Sequence, residues 1–231
     1  MDPLAGTPWS QPSTVDGFVR GEPNPVLMEY AATLARERPG GVLVDIGCGA
    51  ARNALPLGRL GWRVLGTDLS RPMLDAARQR VQAEPSTTTR VAFALAPMQA
   101  LPCRTGSADF IVAHGIWNLA GSDALFRSAV GEAARIAMPG AALFVFTFSR
   151  HTLPDDAQPL PGQTLTFTQF AGRPQIFLTE TQLVDELARA GFVRDNRVPL
   201  TEYNRPESRA LRTTGGPVIY EAAFRFQGPG E

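Results

Sequence analysis

The chain has 231 residues, 44% hydrophobic and 19% charged, a balance that fits one globular domain and excludes a mostly disordered chain. Its 22 basic residues match its 22 acidic ones, so no net field draws it onto nucleic acid or an anionic membrane surface. Every basic residue is Arg and none is Lys, which closes Schiff-base chemistry and the usual Walker A loop.

Residues 1–23 are expected to form an N-terminal arm, frayed or closing as a lid, in which Trp9 and Phe18 are the large apolar side chains. The arm has no basic segment leading into an apolar stretch, so it does not read as a secretory signal. From Asn24, an N-cap candidate followed by Pro25, the apolar residues Val26, Leu27, Tyr30, Ala31 and Leu34 recur at helical spacing up to Pro39-Gly40. Gly41 to Ile46 is a short β-branched run ending in glycines, the form of a strand buried on both faces. A helix over Ala50 to Leu60 follows, with Pro56 as a kink candidate. Trp62 to Thr67 predicts a second strand, Ser70 to Gln82 a capped helix, Pro85 to Thr89 a turn and Arg90 to Leu95 a third strand. Ala108 to Ala113 is the fourth strand, Ser122 to Ala137 a helix stopped by Pro139-Gly140, and Ala142 to Phe148 the fifth strand.

An insert at about 150–178 breaks this rhythm with Pro154, Pro159, Pro161 and Gly162, and Thr164 to Leu178 reads as loose β or loop structure. Thr179 then caps a helix through Ala190, Phe192 to Leu200 is a sixth strand, and Pro217 to Phe226 is a last strand pairing antiparallel. Strands alternating with helices predict an α/β fold: a Rossmann-like, doubly wound, seven-stranded sheet, mostly parallel with an antiparallel last strand, in one domain over 24–231. Two cysteines, Cys48 and Cys103, and two histidines, His114 and His151, are too few for a zinc framework, and no metal is expected. The longest apolar run, near Gly140 to Phe148, is about half of the roughly 18 residues a membrane helix needs. A cytoplasmic protein with reduced thiols is the expectation.

In such a sheet the ligand lies outside the carboxyl ends of the strands. The first strand ends in Asp45-Ile46-Gly47-Cys48-Gly49, where glycines allow a tight turn and a close backbone approach. A glycine pair alone also suits a turn with no ligand. A dinucleotide-binding turn wants a small third residue and tolerates no carboxylate beside its phosphates, whereas this chain has Arg52 and Asp45. An NAD-type oxidoreductase is therefore the weaker class. Asp68 lies about 20 residues on, where a carboxylate can bond both hydroxyls of a ribose. The joint requirement is a nucleoside with a cationic tail and no phosphates, which describes S-adenosylmethionine.

Val44-Asp45-Ile46-Gly47-Cys48-Gly49 and Gly66-Thr67-Asp68-Leu69-Ser70 resemble the first two motifs of the class I S-adenosylmethionine-dependent methyltransferases. Leu101-Pro102-Cys103, Ser107-Ala108-Asp109-Phe110-Ile111-Val112, Arg135-Ile136-Ala137-Met138-Pro139-Gly140 and Thr179 to Phe192 resemble later motifs in the same order. The resemblance implies that Asp45, Gly47 and Gly49 line the methionine portion, that Asp68 holds the ribose hydroxyls and that Leu69 packs on the adenine, with Cys48 and Asn53 also counted among the cofactor-binding residues. Pro97 stands where the family often has an Asp, which leaves the adenine edge to Met98 and Gln99. Gly47 to Asn53 with Trp117-Asn118-Leu119 is also similar to the tellurite-resistance methyltransferases, which act on chalcogen oxyanions. A module that binds S-adenosylmethionine without transferring its methyl group stays open beside these readings.

The acceptor is expected to be a small molecule, with no nucleic-acid or membrane partner. His114, at the end of the fourth strand, either serves as a general base for a hydroxyl or amine acceptor or simply packs in the site. Trp9, Trp117, Asn118, His151 and Asn204 are the candidate substrate contacts, with the aromatic faces able to meet the sulfonium.

Overall fold

The computed structural model describes residues 2–84, 90–205 and 216–228; the turn expected at Pro85 to Thr89 lies outside them. The order of elements is α1 (Pro12–Arg20), α2 (Pro25–Glu37), β1 (Val42–Ile46), α3 (Ala54–Arg59), β2 (Arg63–Asp68), α4 (Arg71–Gln82), β3 (Val91–Leu95), β4 (Ala108–His114), α5 (Asp123–Ile136), β5 (Ala137–Phe148), β6 (Thr166–Phe167), β7 (Gln175–Ile176), α6 (Glu180–Arg189), β8 (Phe192–Arg194), β9 (Thr201–Tyr203) and β10 (Ile219–Phe226).

The main sheet runs β3-β2-β1-β4-β5-β10-β8, with β9 also paired to β10. Pairings among β1 to β5 are parallel, and β10 is antiparallel to β5, β8 and β9. Strand order reverses between β1 and β4, which puts the ligand crevice above their carboxyl ends. Alternate residues of the strands feed two cores. Val44, Ile46, Ile111, Ala113, Leu143 and Val145 pack with Phe126, Ala129, Val130, Leu183 and Leu187 of α5 and α6. Leu43, Val64, Phe110, Val112 and Phe144 pack with Leu27, Tyr30, Leu34, Leu55 and Leu74 of α2, α3 and α4. The helices start where side-chain caps satisfy free N–H groups: Asn24 accepts from Leu27, Ser70 from Met73, Ser122 from Leu125, and Thr179 forms a capping box with Gln182.

Several expectations need correction. The main sheet has eight strands rather than seven, because the strand expected over 192–200 stops at Arg194 as β8 and a further strand, β9, begins just past it at Thr201; the two follow one another along the same edge of β10. The break falls at Asp195, whose carboxylate is taken by Tyr30, Arg197 and Arg225 and whose backbone turns so that Ala223 donates to Val198. The α3 helix begins at Ala54, not Ala50: Gly47, Gly49 and Ala51 all have positive φ, at 70°, 53° and 61°, which no helix allows. Pro56 then falls in the first turn, where it lacks a bond to break. The β5 strand starts at Ala137 and passes through Pro139-Gly140 with a register shift against β4. The loose stretch 164–178 contains the β6–β7 hairpin. The α1 helix was not expected as a helix. No helix among the described residues is long and apolar enough to cross a membrane.

Candidate active site

The glycine turn after β1 is held to the end of β2 by a carboxylate. Asp68 Oδ2 accepts from the Gly49 N–H at 2.9 Å and Oδ1 from the Ser70 N–H at 2.8 Å. Burial raises the Asp68 pKa, and these N–H bonds work against the rise. A Cβ at Gly47 would stand 2.7 Å from the Ile116 side chain, and one at Gly49 2.9 Å from Phe18, so the turn admits no larger residue at either place.

Above the turn lies a cavity of about 380 Å³, within the size range of small-molecule sites. Its lining includes Gly47, Gly49, Asp68, Leu69, Met98, Gln99, His114 and Trp9, all expected there, together with Arg52, Met73, Ile116, Leu119, Leu125 and Phe146, which were not. A narrow recess opens beside it, walled by Phe18, Asp45, Gly47, Cys48, Arg52, Asn53 and His114. Asp45 is 2% exposed, and its Oδ2 has no hydrogen-bond partner. Burial drives its carboxyl up to about 7, with Arg52 lowering it and Asp68 adding to the rise. The Cys48 thiol is likewise pushed up by burial and by the two carboxylates, so it is inert as a nucleophile.

His114 lies flat on Phe146, with ring centroids 4.1 Å apart and planes 8° from parallel. Its Nδ1 is 3.2 Å from Arg52 Nη2 and its Nε2 is 3.3 Å from Asn24 Nδ2. Burial and the Arg52 charge hold its pKa down to about 3. Asn24 joins four groups: its Oδ1 caps α2, its N–H donates to Asn53 Oδ1, and its Nδ2 donates to Glu221 Oε2 at 2.6 Å as well as facing His114. Glu221 Oε1 also accepts from the Tyr203 hydroxyl.

The N-terminal arm forms one wall. Leu4, Trp9 and Phe18 line the cavity, Ser70 Oγ donates to the Trp9 carbonyl, and the Arg71 N–H donates to Asp2. Trp9 meets Phe18 edge to face at 6.2 Å, and the Arg173 guanidinium lies 5.8 Å from the Trp9 ring.

Four expected substrate contacts are placed elsewhere. Trp117 is fully buried against Phe126, and Asn118 is 2% exposed; neither lines the cavity. A short 3-10 turn over Trp117–Leu119 rotates both into the core and leaves Ile116 and Leu119 facing the cavity. Trp117→Ala should therefore cost about 3–5 kcal/mol of stability, read from chemical denaturation, as a core truncation does. His151 pairs with Glu202 at 2.6 Å, and Asn204 donates to the Pro217 carbonyl; neither side chain reaches the cavity. Ser149 and Glu202 both meet the Nδ1 edge of His151, which leaves no serine-to-base relay of the hydrolase kind.

Residues 44–145 match the family model described as a methyltransferase domain. Over this stretch the chain carries the pattern of a methyltransferase domain. The fold extends over the rest of the chain as well: a SAM-dependent methyltransferase from Methanosarcina mazei is 18% identical, with 89% of this chain and 99% of that one aligned at a TM-score of 0.69. An S-adenosylmethionine-dependent methyltransferase from Mesorhizobium loti is 18% identical over 91% and 99% of the two chains, TM-score 0.64. The Burkholderia thailandensis 1,6-didemethyltoxoflavin-N1-methyltransferase, solved with its substrate and S-adenosylhomocysteine, is 19% identical over 86% and 77%, TM-score 0.62. At these identities the likeness is one of fold. The methyltransferase match spans β1 through most of β5, the strands whose carboxyl ends carry the cavity.

Proposed function

We propose that the protein transfers the methyl group of S-adenosylmethionine to a small-molecule acceptor by direct in-line displacement. The observation that carries this reading is the pairing of two carboxylates, Asp45 buried and Asp68 half-buried, at opposite jobs. Asp68 stands at the end of β2 with both oxygens oriented by backbone N–H groups, ready to take ribose hydroxyls. Asp45 stands in the recess with an unpartnered oxygen, beside the Arg52 guanidinium. An amino-acid tail, one ammonium and one carboxylate, satisfies both.

The donor set therefore fits the cofactor. Gly47 and Gly49 would let its backbone-facing side approach, Leu69, Met73 and Ala96 would pack against the adenine, and Met98 and Gln99 would border its edge. The cofactor supplies a methyl group already activated by a sulfonium. The protein's part is to hold the acceptor in line, exclude water and offer no competing nucleophile. The arm, residues 1–23, acts as the lid, since Leu4, Trp9 and Phe18 close the cavity from above.

A thermal shift tests this without an acceptor. Ligand at about 100 times its dissociation constant adds about 2.7 kcal/mol to stability, which for a chain of this size raises Tm by roughly 5–10 °C. S-adenosylhomocysteine should do so and NADH should not. A shift with NADH alone would transfer the reading to the oxidoreductase class.

A further inference from the structure

We propose that the acceptor is a small apolar molecule whose attacking atom carries no proton in neutral water, such as an arenethiolate or a weakly basic ring nitrogen, because the described residues that line the cavity offer it no base. The proposal rests on the methyl-transfer reading above and narrows its substrate class.

The end of the cavity away from Asp68 is walled by Ile116, Leu119, Leu125 and Phe146, with Leu4 from the arm. Among the described residues, the ionisable side chains lining the cavity are Arg52, Asp68 and His114. Arg52 is a cation with no acceptor. Both oxygens of Asp68 already accept backbone N–H bonds at the other end of the cavity.

Asp45 stands in the adjoining recess, where its free oxygen is assigned to the ammonium of the cofactor tail. His114 is the remaining candidate, and its neighbours occupy it. The Arg52 guanidinium faces one ring nitrogen and the Asn24 amide faces the other. The Asn24 Oδ1 is committed to the Leu27 N–H, so what it turns toward the ring is its donor end. A neutral imidazole has a single acceptor nitrogen, and here a donor lies against each. Protonation would put N–H against N–H on both sides. Glu221 lies behind Asn24, bonded to its Nδ2 and to Tyr203, and so does not supply the imidazole with a carboxylate. Phe146 covers one ring face. The depressed His114 pKa agrees with this geometry.

An acceptor that must lose a proton as it reacts, such as an alkanol or an ammonium group, would find no free base for it among the described residues of the cavity. An unprotonated acceptor needs no such help. Its lone pair forms the new bond to the methyl carbon, and the electron pair of the broken carbon–sulfur bond stays on the departing sulfur. For a thiolate, an anion and a sulfonium become two neutral thioethers and no proton moves. Charge is lost along that path, a change that apolar walls favour over water.

The test uses the full chain and two readouts. The first is the imidazole proton signal of His114 by NMR in the His151→Gln variant, which leaves one histidine of two; it should show no titration near about pH 6.5, the ordinary histidine value. The second is S-adenosylhomocysteine release with matched acceptors: benzenethiol against phenol, and pyridine against piperidine. The thiol and the ring nitrogen should turn over at least ~100-fold faster than their protonated counterparts, a gap of about 2.7 kcal/mol in barrier, with pH profiles that break at the acceptor's own pKa. Titration of His114 in the ordinary range, turnover of phenol or piperidine at comparable rates, or turnover of none of the four would overturn the proposal. Calorimetry with S-adenosylhomocysteine separates the two levels: if it binds and the acceptor pattern fails, the acceptor class alone falls, and if it does not bind, the methyl-transfer reading falls with it.

Discussion

Replacing Asp68 by Ala should weaken S-adenosylhomocysteine binding by at least ~100-fold, since two hydrogen bonds to a charged acceptor contribute about 1.5–3 kcal/mol each. The same change frees the N–H groups of Gly49 and Ser70, so the glycine turn loses its anchor as well as its ribose contact. Asp68→Asn separates these effects. One amide oxygen can still hold one of the two N–H groups, and its affinity should fall between those of the parent and Asp68→Ala. Calorimetry gives the affinities, and circular dichroism confirms that both variants fold. Unchanged affinity in Asp68→Ala would remove the ribose from this position.

Asp45 carries the second large effect, with opposite signs for stability and binding. Its carboxyl is raised from 3.8 to about 7 in the folded protein, chiefly by burial. A raised folded-state pKa means that the stability associated with the neutral form is complete below about pH 4 and is lost as pH climbs through 7. Above that the buried anion costs the free protein on the order of 4 kcal/mol. Asp45→Asn removes the cost, so without ligand it should melt above the parent at pH 8 and near it at pH 4. For the parent, binding an ammonium group requires the anion. Affinity for S-adenosylhomocysteine should rise about tenfold per pH unit from 5 to 7 and level off beyond, while Asp45→Asn should bind weakly with a flat profile across that range. A variant that is both more stable and equally tight in binding would show that the recess does not hold the amino group. Such an exchange of stability for function is common at sites built around strained or unsatisfied groups.

The parts of the fold legible in the sequence were those written locally. Asn24, Ser70 and Thr179 announce helix starts because a cap and its N–H partner lie within a few residues. The buried strands announce themselves as unbroken apolar runs. The α1 helix escaped because its apolar residues are few, Val15 alone being buried, and it is stabilised by packing on α4 around Met73 and Ala50. The split of β8 from β9 depends on Asp195 meeting Tyr30, far away in the chain.

The candidate site divides the same way. The glycine turn and Asp68 were readable, since strand ends and turn glycines sit in fixed local patterns. Asn24 and Glu221 were not, because the bond between them joins residues 197 positions apart. In the sequence Arg52 reads as an obstacle to a diphosphate and as part of the Gly47 to Asn53 likeness; the structure gives it two neighbours, Asp45 and His114, that no spacing rule links to it. Trp117 was misplaced for the converse reason: proximity to a strand end says nothing about which way the following 3-10 turn directs a side chain.

The measurement that bears most directly on the account is a calorimetric titration of the full chain with S-adenosylhomocysteine, S-adenosylmethionine and NADH in one buffer at pH 8, where Asp45 is ionised. The account predicts saturable binding of the first two at about one site per chain with micromolar affinity or better, equivalent to roughly 8 kcal/mol, and no binding of NADH. Binding of NADH alone, or of none of the three, would contradict it.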